Sequence, residues 1–257
     1  MTLDALANDS FAGRNHITDV KFGIFNARGA KTNIKHYTVS ASMATPTKMI
    51  SQIDFIRAQK IVQQAGIPFA PSAEVKSEKQ IHSTTRKIPF PWAMKAVGKK
   101  LIHKTDVGGV KLNIQNEVEA FAAFKHMKKI PSCEYVVVQP MRKGIEIIVG
   151  GKMDAQFGPT VLVGMGGIYT EVFKDASIRI APLSNADMDE MIHELKIHPI
   201  LEGTRGQKGI NFTDLKKILL GVSKLMCGEK IRELDLNPVI ATQASVQAVD
   251  VRIIEGK

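Results

Sequence analysis

Up to about residue 50 the chain shows no regular apolar period. From Val20 to Ile53 it has no acidic residue, and Lys21, Arg28, Lys31, Lys35 and Lys48 are scattered among Ser, Thr and Asn. A pattern begins at Ser51. In SQIDFIRAQKIVQQAGIP, Ile53, Ile56 and Ile61 recur near helical spacing, and the run stops at Gly66 with Pro68 beyond, which predicts a helix over about 51–65. FPWAMKAVG reads as a strand, a glycine loop follows, and VKLNI reads as the next strand. NEVEAFAAFKHMKKI opens with Asn116 and Glu119 at capping-box spacing and carries Val118, Phe121 and Phe124, the pattern of a helix. EYVVVQP, GIEIIVGG, GPTVLVGMGG and SIRIAP are then read as strands. Two amphipathic helices follow, one carrying Met188, Met191, Ile192 and Leu195, the other Leu215, Ile218, Leu219 and Val222 with Gly228 as its stop. IRELDLNPVIA and VQAVDVRII are the last strands. Strands and helices mixed without strict alternation predict α+β subdomains and not a doubly wound sheet.

Composition narrows the class. A chain of 257 residues, 44% hydrophobic, can bury a substantial core. No apolar run reaches the roughly 18–20 residues of a membrane span, and MTLDALANDS lacks a basic stretch followed by an apolar one. No membrane association is expected. Cys133 and Cys227 are far apart with no C-x-x-C, so a cytoplasmic, reduced protein fits best. The net charge of +10 admits nucleic acid, acidic membrane or phosphorylated small molecules, and charge alone does not choose among them. At 6% aromatic residues and with no basic stretch interleaved with aromatics, a nucleic-acid partner is disfavoured. Residues 1–50 read as an extension of unknown role. Asp4 and Asp9 oppose a transit peptide, which leaves a poorly ordered segment or one that packs on a partner.

Three constellations carry chemistry. In WAMKAVG, alternation puts Ala93, Lys95 and Val97 on one face and Trp92, Met94 and Ala96 on the other, so Lys95 is the lone charge of an apolar strand. Either it snorkels from an edge strand or its ammonium meets a nucleotide phosphate. In IRELDLNPV, Glu233, Asp235 and Asn237 share a face opposite Leu234 and Leu236, and such hard oxygens suit magnesium, unless this is an ordinary half-exposed strand end. In LIHKTDVGGVKL, Gly108 and Gly109 free backbone N–H groups to turn on an anion, with Lys104 and Lys111 nearby. A second glycine turn, VGMGGIYTEV, has the look of a dinucleotide fingerprint, but no well-capped helix follows it.

In this order, AMKAV, IHKTDVGGVKL, GIEIIVGG, FGPTVLVGMGGIYTEVFKD, IRIAPL and ELDLNPVI resemble the ATP-grasp domain of ADP-forming acyl-CoA synthetases over about residues 51–257. The nearest likeness is the separate beta subunit of the acetyl-CoA enzymes, a relative of the succinyl-CoA synthetase beta subunit. The resemblance implies an ATP-grasp fold of two subdomains, 51–132 with the glycine loop and 133–257 with the hinge and metal site, the nucleotide lying between them. It implies that Lys95, with Lys104, Gly108 and Gly109, holds the phosphates of ATP or ADP. The adenine would lie at a hinge of Val138, Gln139, Pro140 and Met141, and Glu146 would lie near the nucleotide. Asp235 and Asn237 would bind Mg2+, with Glu233 and Glu171 as further candidates. His103 would take a phosphoryl group and pass it to ADP, its ring oriented by Asp106 or Asp250. A CoA-binding alpha subunit would complete the enzyme as a heterotetramer of two alpha and two beta subunits. A free-standing ATP-grasp ligase that forms an acyl phosphate without a phosphohistidine is the alternative. The remaining six histidines, His126 among them, read as surface residues.

Overall fold

The computed structural model describes residues 51–98, 101, 107–167, 175–204, 206, 208–228 and 230–256. The extension 1–50, and His103, Lys104, Asp106 and Glu171, lie outside the described residues. The chain divides into two compact units, a smaller one of residues 54–60 and 69–144 and a larger one that contains 61–68 and 145–257. The resemblance implied a division at 132; by contacts it falls at Gly144, because the strand after 132 pairs inside the smaller unit.

The smaller unit is built on an antiparallel sheet of β2 (Ala73–Val75), β5 (Tyr135–Pro140), β3 (Trp92–Val97) and β4 (Val110–Ile114), in that order. Helices α1 (Phe55–Gln64), α2 (Glu78–Thr85) and α3 (Glu117–Lys128) accompany it, the division of the chain falling within α1. The predicted first helix starts later than Ser51: Asp54 Oδ1 accepts the Ile56 N–H at 3.0 Å and so fixes the helix start at Phe55. Ser51–Gln52 instead forms a short strand, β1. β2 and α2 escaped the sequence pattern because α2 buries just Ile81 and Thr84.

Trp92, Met94 and Ala96 of β3 and Val136 and Val138 of β5 face one core with α3. The inward stripe of α3 is Ala120, Ala123, Phe124 and Met127, while Val118 is 79% exposed. The expected Val118, Phe121, Phe124 series drifts off a helix face, whereas the i, i+3, i+4, i+7 set stays on it, its alanines letting helix and sheet approach. The cap is as expected, with Asn116 Oδ1 accepting the Glu119 N–H at 3.0 Å.

Ahead of the glycine loop, Gly98 is pressed against the Ser132 carbonyl, which a Cβ there would strike. Ser132 cannot readily retreat, being held at φ +67° two residues before Glu134, whose N–H donates to Val97 O at 2.8 Å just ahead of β5. Gly98→Ala should cost about 3 kcal/mol, or roughly 6–12 °C in melting temperature. An unchanged thermal melt would refute this close approach.

The larger unit holds a sheet ordered β1, β11 (Arg252–Glu255), β9 (Ile231–Ala241), β6 (Ile145–Asp154), β7 (Gly158–Met165), β8 (Ala176–Ile180), with β10 (Val246–Ala248) also on β9. Its helices are α4 (Asn185–His193), α5 (His198–Glu202) and α6 (Phe212–Met226). The predicted apolar positions of the two amphipathic helices are all buried. The expected single strand VQAVDVRII is two, β10 and β11, separated opposite Leu236, Asn237 and Pro238, where a proline has no N–H to give the ladder. β7 and β8 are antiparallel neighbours, so the second glycine turn does not open the strand–helix–parallel-strand unit of a dinucleotide site.

Candidate functional site

In the smaller unit β3 lies between β4 and β5, with Lys95 opposite Val110 on one side and Val137 on the other. Lys95 is therefore not an edge lysine that snorkels to water; it is 6% exposed. An ammonium so placed is costly unless negative charge meets it. Ala93 faces Gln139 across the β3–β5 ladder, which makes Gln139 the diagonal neighbour of Lys95 on the same face. The Gln139 side chain is buried, and neither amide atom has a hydrogen-bond partner among the described residues. Such a group costs about 1–3 kcal/mol of desolvation, so its persistence points to a missing partner.

The hinge residues divide by direction. Val138 turns its side chain into the core with Trp92 and Met94, so it can offer a ligand main chain alone. The Met141 N–H already donates to Pro91 O at 2.7 Å. Gly108 has φ +69° and Gly109 is buried, its carbonyl accepting the Ala96 N–H at 2.7 Å. A Cβ on Gly108 would stand 3.2 Å from His126 Nε2. His126, read from sequence as a surface residue, is exposed, and its ring lies against the glycine turn.

In the larger unit Glu146 stands exposed near the start of β6 beside the second glycine turn. The Gly166 N–H donates to Glu146 O at 2.8 Å, and a Cβ on Gly167, at φ +77°, would meet Glu146 Oε2 at 3.0 Å. The described glycines of that turn pack on Glu146.

On β9, Glu233 and Asp235 are each 6% exposed, where the alternation had left open a half-exposed strand end. Asp235 sits opposite Gly150 of β6 and Arg252 of β11. Asp235 Oδ1 has no hydrogen-bond partner among the described residues. Burial pushes its pKa up to about 7; Arg252 opposes the rise, and Asp250 and Glu233 add to it. The Val249 N–H donates to Pro238 O at 3.1 Å, which sets Asp250 beside the Asn237 end of β9. Among the described residues no group of three His, Cys, Asp or Glu side chains could hold a metal. Asp235 and Asn237 do fit a hard cation that takes its other ligands from phosphate and water, because a buried, unpartnered carboxylate oxygen is what such an ion requires. Among the described residues no helix is long and apolar enough to cross a membrane.

A model of the ATP-grasp domain matches residues 47–254. The chain belongs to the ATP-grasp family. This ATP-grasp chain is 38% identical over 206 residues to the beta subunit of acetate–CoA ligase (ADP-forming) I of Pyrococcus furiosus, a match covering 77% of this chain and 89% of that protein. It is 35% identical over 206 residues to 4-hydroxybutyrate–CoA ligase (ADP-forming) of Nitrosopumilus maritimus, covering 76% of this chain and 30% of that longer protein. The ATP-grasp fold is also that of acetyl-coenzyme A synthetase 1 of Ca. Korarchaeum cryptofilum in complex with coenzyme A and Ca-AMPCP, with a TM-score of 0.75, 36% identity, and 80% of this chain and 93% of that one covered. A second structure of that enzyme, with coenzyme A and Mg-AMPPCP, has its phosphohistidine segment pointing towards the nucleotide binding site; its TM-score is 0.70 at 35% identity, with 80% and 93% covered.

Proposed function

We propose that this ATP-grasp chain is the nucleotide-binding subunit of an ADP-forming acyl-CoA synthetase of the acetyl-CoA type. The reaction is acyl-CoA + ADP + phosphate giving acid + CoA + ATP. A CoA-binding alpha subunit handles the acyl group, in a heterotetramer of two alpha and two beta subunits. The substrates and the free cysteines Cys133 and Cys227 agree with a cytoplasmic setting. The observation that carries the reading is that buried Lys95 and the unpartnered amide of Gln139 are diagonal neighbours on one sheet face.

The chemistry follows from the residues. A neutral imidazole nitrogen of His103 attacks the phosphorus presented by the alpha subunit, and the bond to the donor breaks. The product is a phosphoramidate. A terminal oxygen of ADP then attacks the same phosphorus, and the nitrogen leaves with the P–N electron pair. Lys95 and Lys104, with the backbone N–H groups around Gly108 and Gly109, offset the charge on the moving phosphoryl group. Glu146 lies near the nucleotide. Asp235 and Asn237, with Asp250 beside them, hold Mg2+, which when bound neutralises phosphate charge. Gln139, with Met141 and the main chain of Val138, receives the base. An adenine edge sets a donor beside an acceptor, the complement of a primary amide.

The test is calorimetric titration of ADP with and without Mg2+, on wild type and Gln139→Leu. Wild type should bind ADP, and more tightly with Mg2+. Gln139→Leu should weaken ADP about tenfold, yet stabilise the unliganded chain by about 1 kcal/mol because a buried unpaired amide is gone. No binding by wild type would overturn the function. A variant that binds normally would remove Gln139 from the site.

A further inference from the structure

Glu233 and Asp235 flank one guanidinium across β9 and β11, and Asp250 adds negative charge at Asp235. Arg252 is the ladder partner of Asp235, and Glu233 lies two residues away on the same face. Arg252 Nη2 is ion-paired with Glu233 Oε1, both side chains largely buried at 19% and 8% exposed. Asp235, though 94% buried, keeps Oδ1 without a hydrogen-bond partner among the described residues.

We propose that Arg252 is a positioning residue that holds Glu233 out of the metal's ligand set, so that a divalent cation binds tightly only together with a nucleotide. The inference rests on the nucleotide reading above. With Arg252 in place, the described carboxylates here form no group of three that could hold an ion; a carboxylate released among them would supply a ligand that a hard cation otherwise lacks. Arg252 occupies one of these carboxylates and adds a fixed positive charge among the rest. The remaining oxygens of Asp235, Asn237 and Asp250 then need phosphate oxygens to complete the set. Arginine suits the task, since it stays charged at any working pH and its planar fork holds a carboxylate in one orientation. The consequence is an order of events in which the metal enters with the nucleotide and not ahead of it. Glu233, left open by the sequence as a further ligand, is thereby assigned to Arg252.

Mn2+ is the probe, followed by electron paramagnetic resonance on the full chain, without nucleotide and then with ADP. Wild type should bind Mn2+ weakly alone and tightly with ADP. Arg252→Met should tighten Mn2+ binding without ADP by about tenfold or more, the scale on which one neighbouring charge shifts a carboxylate's hold on a proton. Arg252→Lys, which keeps the charge, should stay near wild type. Adding Glu233→Gln to Arg252→Met should cancel the gain, because the released carboxylate is gone. Unchanged Mn2+ binding in Arg252→Met would overturn the proposal. If that variant does not fold, Glu233→Gln alone decides. Retained Mn2+ affinity in the presence of ADP supports the assignment, and a tenfold loss makes Glu233 a ligand and overturns it. ADP titration without metal is read separately. Its failure in wild type would sink the nucleotide reading, while the Mn2+-only comparison still judges Arg252.

Discussion

His103→Ala should abolish ATP formation in the complex with the CoA-binding partner, a loss of roughly 10⁴-fold or more, as removal of a covalent nucleophile produces. ADP affinity should stay close to wild type, because Lys95, Gln139 and the glycine turn remain. The separation of turnover from binding is the informative part. Incubating wild type with γ-labelled ATP and Mg2+ should also give a phosphoprotein that is acid-labile and alkali-stable, as nitrogen-linked phosphate is, with no label on the variant. Label retained on His103→Ala would reject the relay and favour a free-standing ligase that forms acyl phosphate directly.

Lys95→Met should show the opposite separation. The substitution keeps an unbranched side chain in the same central strand and removes the charge. A hydrogen bond to a charged group contributes about 1.5–3 kcal/mol, so ADP affinity should fall roughly 10- to 150-fold. Turnover at saturating ADP should suffer less than in His103→Ala. A thermal melt beside the calorimetry distinguishes lost binding from lost fold. Equal ADP affinity in variant and wild type would remove Lys95 from the phosphate site.

The strands and the two amphipathic helices were legible because period and burial coincide in them. Met188, Met191, Ile192 and Leu195 face inward as their spacing requires. α2 was not legible, since a polar helix capped by Ser77 and Gln80 has almost no apolar period to read. α3 was read as a helix from Val118, Phe121 and Phe124, of which Phe124 and Phe121 pack on the core while bulky Val118 does not, small alanines taking its place. The charge of Lys95 in an apolar strand stood out in sequence, but its central place in the sheet depends on β4 and β5, which come later in the chain. Gln139 was found through family resemblance; its unpartnered amide is a property of the folded sheet. The ion pair between Arg252 and Glu233 joins residues 19 apart, and no local pattern announces it.

The pairing of Ser51 and Gln52 with Glu255 and Ile254 sets the two extremities of the described fold on neighbouring strands. A fold whose extremities adjoin occupies a single point of attachment on any longer polypeptide. It can be spliced on or cut away by one recombination event without redrawing its interior. Matches to a separate beta subunit over 89% of its length and to a longer ligase over 30% of its length are the two outcomes such a joint permits.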